Sequence, residues 1–252
     1  MSEDIRKMID KVKNFKQFVN ERNDLNVINK YNSIIDNIID KHKKNLKYVL
    51  NTNISDLSDA KLKELIFSIS NDNPRFKVFF SNMDSGGYSG EVIKINNVDT
   101  IYIYNKEYAE QLGSFYWSAM ENKNKRKYFK GISDLAQNNK IKSTILHELV
   151  HIHDKIKYDD TEKLNNKFTK LVNKNNNDFN SIHNNLYSTR TTEYNAYFLQ
   201  RADSYLNKNG DLTNFNDFKE YMVNIPVYDN MNKDLKKKYL NRVYSFFQSF
   251  KK

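Results

Sequence analysis

Ser143-Thr144-Ile145-Leu146-His147-Glu148-Leu149-Val150-His151-Ile152-His153-Asp154 is the stretch on which the reading of this chain turns. Ile145, Leu146, Leu149, Val150 and Ile152 give a predicted helix apolar surfaces that bury it, so it is a core helix, and Ser143 or Thr144 can cap its start. Residues four apart on a helix stand one above the other with Cβ atoms about 5–6 Å apart, so His147 and His151 can both turn a ring nitrogen onto one ion. Zinc suits two imidazoles. Glu148 follows the first histidine by one residue, which puts its carboxylate beside the pair rather than between them, within reach of a water on the ion. Zinc lowers the pKa of such a water to about 7, and a carboxylate can take its proton as it attacks a polarised carbonyl. That set of groups predicts hydrolysis of an amide bond. The competing reading is that two of the five histidines fall four apart by accident.

A catalytic zinc of this kind takes a third protein ligand and keeps an open position. One arrangement sets a third histidine six residues after the second, but that position is Lys157. Downstream, Thr191-Thr192-Glu193-Tyr194-Asn195-Ala196-Tyr197 reads as a second helix, in which small Ala196 three residues after Glu193 allows a carboxylate to approach a neighbouring helix. His183, beside Asn184-Asn185, is the rival third ligand or a transition-state donor, with an ordinary surface histidine as the alternative. Asp154 lies on nearly the same helical face as His147 and His151, where an acid can accept the other ring N–H of a ligand histidine; an exposed helix acid is the other reading. His153 points away from the pair, and His42, within Lys41-His42-Lys43-Lys44, reads as solvated surface.

The His-Glu-x-x-His stretch, followed 42 residues after His151 by Glu193 and then Ala196, resembles the gluzincin zinc metallopeptidases, among them catalytic domains of the anthrax lethal-factor type and small bacterial effector metallopeptidases. Asp154, Arg190-Thr191 and Ala196 match the texture of that group, and the likeness runs from about His147 to Arg201. It implies a zincin-like fold, Zn2+ as cofactor, and His147, His151 and Glu193 as metal ligands with Glu148 as general base. It also implies a tyrosine before the glutamate that supports the oxyanion, for which Tyr187 is the nearest counterpart. In zincins a strand edge upstream of the metal helix pairs with substrate backbone, and Thr100–Tyr104 has that place in the chain; the same strand can equally be internal to the sheet.

The remainder of the chain bounds these readings. With 252 residues it fits one domain, expected to run over 1–252. Its 38% apolar and 29% charged residues give a polar surface, while 13% aromatics supply a core. Cysteine is absent, which excludes disulfides, thiolate metal sites and thiol nucleophiles and leaves His and carboxylates as ligands. Neither a cleavable signal peptide nor an apolar run long enough to span a membrane is expected, so the protein is cytoplasmic or secreted by a route without a cleavable signal, including into a host cell. A net charge of +10 permits a polyanionic partner, but only seven of 41 basic residues are Arg and the lysines are scattered among asparagines, which favours a solvated surface over nucleic-acid binding.

Periodicity predicts helices over much of Glu3 to Asn51, arranged as a hairpin, and another from Ala60 to Ser68 capped by Ser58 and Asp59. Strands follow at Phe76–Ser81, Glu91–Ile95 and Thr100–Tyr104, the last two as a hairpin, with Ile101 and Ile103 on one face and the tyrosines on the other. Beyond Tyr104 helices are expected at Lys142–Tyr158, Glu162 to Val172, Thr191 to Leu206 and Lys233–Phe250. The class is α+β, zincin-like, with a small mixed sheet packed against the metal-binding helix and helical parts on either side: 1–70, then strands over 71–105, then 106–252. The predicted activity is a zinc-dependent endopeptidase acting on a protein or peptide substrate, and the resemblance implies an effector or toxin-like protease. The rivals are a nucleic-acid-binding protein and a non-catalytic binding protein on a metallopeptidase fold.

Overall fold

The computed structural model describes residues 24–72, 75–81, 89–96, 98–136, 139–157, 191–229, 231 and 233–250. Its sheet has four strands, β1 (Ser68–Asp72), β2 (Arg75–Ser81), β3 (Gly90–Ile95) and β4 (Val98–Tyr104), in the order β1-β2-β4-β3. β1 runs antiparallel to β2, β2 parallel to β4, and β3 antiparallel to β4. The β3–β4 hairpin closes between Ile95 and Val98, and Asn96 takes the turn with φ of 48°, a left-handed conformation that asparagine tolerates better than most residues. Alternation along the strands sends Phe76, Val78, Phe80, Ile101 and Ile103 into the core. Thr100–Tyr104, offered above as a substrate-pairing edge, is internal: β4 is bonded on one side to β2 and on the other to β3, so the edge beside it belongs to Gly90–Ile95. β1, which the sequence reading did not foresee, has Ile69 as its one large apolar residue and is specified by its pairing with β2.

A long helix, α1 (Asp24–Asn51), buries a ladder of Ile28, Tyr31, Ile35, Ile38, Ile39, His42, Leu46 and Val49 spaced three and four apart. The expected partner helix before it lies outside the described residues. α2 (Asp59–Phe67) starts as predicted, with Ser58 as N-cap accepting from Lys61 N at 3.2 Å. After β4, Asn105 caps α3 (Lys106–Met120), accepting from Tyr108 N at 2.9 Å. α4 (Lys125–Ala136) and α5 (Asn139–Lys157) follow. Then come α6 (Thr191–Asn209), α7 (Phe215–Val223), the short α8 (Pro226–Asp229) and α9 (Lys233–Phe250), whose bounds match the sequence expectation. The class is mixed α and β with one small sheet.

α5 carries the His-Glu-x-x-His stretch and packs on α6, α1, β3 and β4, so it is enclosed as a core helix should be. Ile145, Leu146, Leu149 and Val150 are fully buried. Ser143 and Thr144 are not its caps, because the helix begins at Asn139, more than a turn earlier; Thr144 Oγ1 instead donates back to Lys140 O at 2.9 Å. At the other side, α6, α7 and α9 share an aromatic core of Phe198, Tyr205, Phe218, Tyr239, Phe246 and Phe247.

Candidate metal centre

Four residues of helix bring the rings of His147 and His151 together with centroids 4.8 Å apart and planes at 75°. Their Nε2 atoms converge to 3.1 Å. Two imidazole nitrogens on one tetrahedral ion, each about 2.0–2.1 Å from it, stand about 3.3–3.4 Å apart. The donor pair therefore fits a zinc ion with a shift of a few tenths of an ångström, and both donors are the nitrogens zinc prefers among these side chains.

Glu148 is displaced about 100° around α5 from His147, toward the sheet. It is buried, at 5% exposure. The start of β3 passes so close that a Cβ placed on Gly90 would stand 3.1 Å from Glu148 Oε1 and 2.7 Å from Thr144 Cγ2. The absence of a side chain at Gly90 is what lets the strand approach the carboxylate. Tyr104, at the end of β4, donates its hydroxyl to the Glu91 carboxylate. Its phenol is pushed up to about 12, first by burial, then by that hydrogen bond and by the charges of Glu91, Tyr102 and Glu148, so it stays a protonated donor at neutral pH.

α6 runs antiparallel along α5, as three contacts establish. Gln200 Nε2 donates to Ser143 O at 3.3 Å, the Tyr197 ring stands 4.8 Å from the His147 ring at 67°, and Asn195 Nδ2 donates to Asp154 Oδ2 at 2.9 Å. From Asn195 a buried polar chain continues outward: Arg242 Nη1 donates to Asn195 Oδ1 at 2.9 Å, and Arg242 Nε and Nη2 grip the two oxygens of Asp24 at 2.8 and 3.0 Å. Asp154, Asn195, Arg242 and Asp24 are all buried. Phe198 lies beneath the Arg242 guanidinium, 4.0 Å from ring centroid to carbon. Helices α1, α5, α6 and α9 are thus tied behind the histidine pair. Beyond Tyr197 a cavity of about 410 Å³ opens between α6, α7 and α9, walled by Tyr194, Tyr197, Phe198, Arg201, Tyr221 and Tyr239.

Of the residues singled out in the sequence, His147, Glu148, His151 and Asp154 lie together on α5. Asp154 is a buried partner of Asn195 and not an exposed helix acid. Glu193 belongs to the first turn of α6, but its side chain lies outside the described residues, as do Tyr187 and His183 altogether. Among the described residues no group of three His, Asp or Glu side chains is placed to hold a metal ion. His153 turns to Tyr31, with Nδ1 2.8 Å from the phenolic oxygen. His42 is a correction: it is fully buried on α1, with its ring 4.9 Å from Phe80 and 5.9 Å from Tyr108, and burial drives its pKa down to about 3.

The sequence reading missed Tyr197, Asn195, Arg242, Asp24 and Gly90. Tyr197 was within reach, since four residues after Glu193 is the same helical face. Nothing local marks the Asn195–Arg242–Asp24 chain, whose members come together from 47 and 218 residues apart. No helix among the described residues is long and apolar enough to cross a membrane. No known family model matches the chain, and neither a curated protein nor a solved structure matches it.

Proposed function

We propose that the chain is a zinc-dependent endopeptidase of zincin-like fold, in which His147, His151 and Glu193 hold the metal and Glu148 is the general base for hydrolysis of peptide bonds in a protein substrate. The observation that carries this reading is the convergence of His147 and His151 Nε2 to 3.1 Å beside a buried glutamate on the same helix. Two stacked surface histidines would not need a carboxylate sequestered one residue away. Bound there, zinc would supply Lewis acidity and an acidified water.

The chain's own groups divide the remaining work. Glu148, sheltered between α5 and Gly90, takes a proton from the attacking water and returns it to the leaving amide nitrogen; positioned acid–base groups of this sort contribute about 10²–10⁴-fold. Glu193 as third ligand is supported by the helix register. Tyr197 on α6 meets His147 on α5; one turn back along α6 is Glu193, and one turn on along antiparallel α5 is His151, so the same displacement of about 6 Å along both helices pairs them. Tyr197 packs on His147 and limits its rotation, as supporting groups around metal ligands do. The outer edge of β3, which has no partner strand among the described residues and begins at Gly90 beside Glu148, is suited to add an extended peptide as a further strand. Tyr187 remains the candidate for oxyanion support, and an effector or toxin-like role acting in another cell's cytosol is the biological setting that the resemblance suggests.

Elemental analysis of the purified protein together with a cleavage assay tests the proposal. One zinc per chain is expected, and Glu148→Gln is expected to keep that zinc while proteolysis falls by about 10²–10⁴-fold. A Glu148→Gln protein of unchanged activity, or a metal-free protein that cleaves normally, would sink it.

A further inference from the structure

We propose that the end of the molecule formed by the last turns of α1, the last turn of α3 and the first turns of α4 docks on an anionic lipid bilayer. Along α3 the core face is Tyr108, Leu112, Phe115 and Ala119, and Trp117 stands on the opposite side, 65% exposed. Met120, three residues on, is 43% exposed. Single exposed apolar residues are ordinary on a protein surface; the company these two keep is not. Directly after Met120 the chain reads Glu121-Asn122-Lys123-Asn124-Lys125-Arg126-Lys127-Tyr128-Phe129-Lys130, five basic residues against one acid. Lys123, Arg126, Lys127 and Lys130 are exposed, and the last three sit within about 100° of arc on α4.

Lys125 joins this turn to α1, donating to Val49 O at 3.4 Å and Thr52 O at 3.1 Å. That brings in the end of α1, where Lys44, Lys47 and Tyr48 are exposed at helical spacing on one face, Tyr48 by 53%. None of Lys44, Lys47, Lys123, Arg126, Lys127 or Lys130 makes an ion pair among the described residues. Lysines exposed elsewhere on this chain do pair, as Lys61 does with Glu64 and Lys63 with Asp59.

The combination fits a lipid interface. A tryptophan and a tyrosine have apolar bodies and polar tips that partition to the headgroup level, methionine adds apolar area that a phosphate lattice does not reward, and lysines supply the attraction to anionic headgroups. Nucleic-acid readout relies on the planar fork of arginine, and only Arg126 of the six cations is one. Each basic residue near such a membrane raises affinity about fivefold.

Trp117 is the only tryptophan in the chain, so its emission reports on this surface alone. The test titrates the full chain with phosphatidylcholine vesicles, with and without about 30% phosphatidylserine. With the anionic vesicles Trp117 emission is expected to shift to shorter wavelength and to resist iodide quenching; with neutral vesicles neither change is expected. R126Q/K127Q/K130Q should weaken co-sedimentation by about a hundredfold with an unchanged melting curve. The equally discharged K219Q/K233Q/K237Q, altered on α7 and α9, should stay within about threefold of wild type. Equal losses in the two triple variants would reassign the effect to overall charge and overturn the proposal. So would binding without a change in Trp117 emission, absence of binding to anionic vesicles, or a response of Trp117 to a short RNA duplex but not to vesicles.

Discussion

Two histidine environments in this fold contrast sharply. On α5, His147 and His151 stand partly buried with ring nitrogens turned to each other and a buried glutamate beside them. On α1, His42 is sealed among Phe80 and Tyr108, and neither its ring nitrogens nor the Tyr108 hydroxyl has a hydrogen-bond partner among the described residues. The first pair brings two ring nitrogens to within 3.1 Å of each other. The second is held neutral by burial, which lowers its pKa to about 3. The difference lies in what each helix faces: α5 meets the edge of the sheet, where β3 starts without a side chain at Gly90, whereas α1 covers the middle of the core.

The contrast is broken most directly by exchanging the two sites' roles. His147→Ala is expected to lose zinc affinity by more than the roughly 10–100-fold that a supporting residue costs, with proteolysis lost alongside. His42→Leu, of similar volume, should leave zinc content and turnover unchanged. Metal-competition titration with a cleavage assay on both variants checks this, and loss of zinc from His42→Leu would show that the sites are not separate.

Next in size is the polar chain that links the regions. Asp24 and Arg242 are both buried, and removing the carboxylate strands a guanidinium in the core, so Asp24→Ala should destabilise the fold by about 3–5 kcal/mol in urea titrations. Because Arg242 also donates to Asn195, the partner of Asp154, the same variant is expected to weaken zinc binding severalfold under conditions where it is folded. Full stability in Asp24→Ala would mean that the pair contributes nothing net.

These two regions also differ in how they show in the sequence. The His-Glu-x-x-His spacing is a local signal, and a helix converts it directly into geometry, which is why His147, Glu148 and His151 were legible. His42 was misread because its neighbours Lys41, Lys43 and Lys44 are polar, although it continues the ladder of Ile35, Ile38 and Ile39 toward Leu46 and Val49. Helical period, and not local composition, decided its fate. α9 and the β3–β4 hairpin were readable because apolar periodicity and the turn signal at Asn96 lie within a few residues. Which strand forms the edge was not readable, since it depends on β2 pairing with β4 across the intervening hairpin. The start of α5 was equally hidden: Asn139 and Lys140 carry no apolar signal, and the helix reaches back to them regardless.

A smaller effect separates the sites by pH. The folded-state pKa of His42 is lowered to about 3 from 6.5, chiefly by burial, so between those values the unfolded chain binds a proton that the folded chain does not. Stability contributed by neutral His42 is complete above pH 6.5 and declines as pH falls toward 3, at about 1.4 kcal/mol per pH unit. Between pH 7 and pH 5 the wild type should lose about 2 kcal/mol more than His42→Leu, measured by urea denaturation at each pH. Identical pH slopes would mean that His42 does not titrate on unfolding in this window.

The finest distinction concerns Tyr197, whose ring stands against that of His147, 4.8 Å between centroids, while lining the cavity behind it and standing 41% exposed. A packing role predicts that Tyr197→Phe keeps the contact and alters zinc affinity by less than about threefold, whereas Tyr197→Ala frees the imidazole to rotate and weakens zinc by about 10–100-fold. If the hydroxyl were what mattered, Tyr197→Phe would fall as far as Tyr197→Ala. Zinc competition on the two variants separates these outcomes, and the order of the variants carries the conclusion: Phe near wild type and Ala well below it assigns Tyr197 to holding the His147 ring.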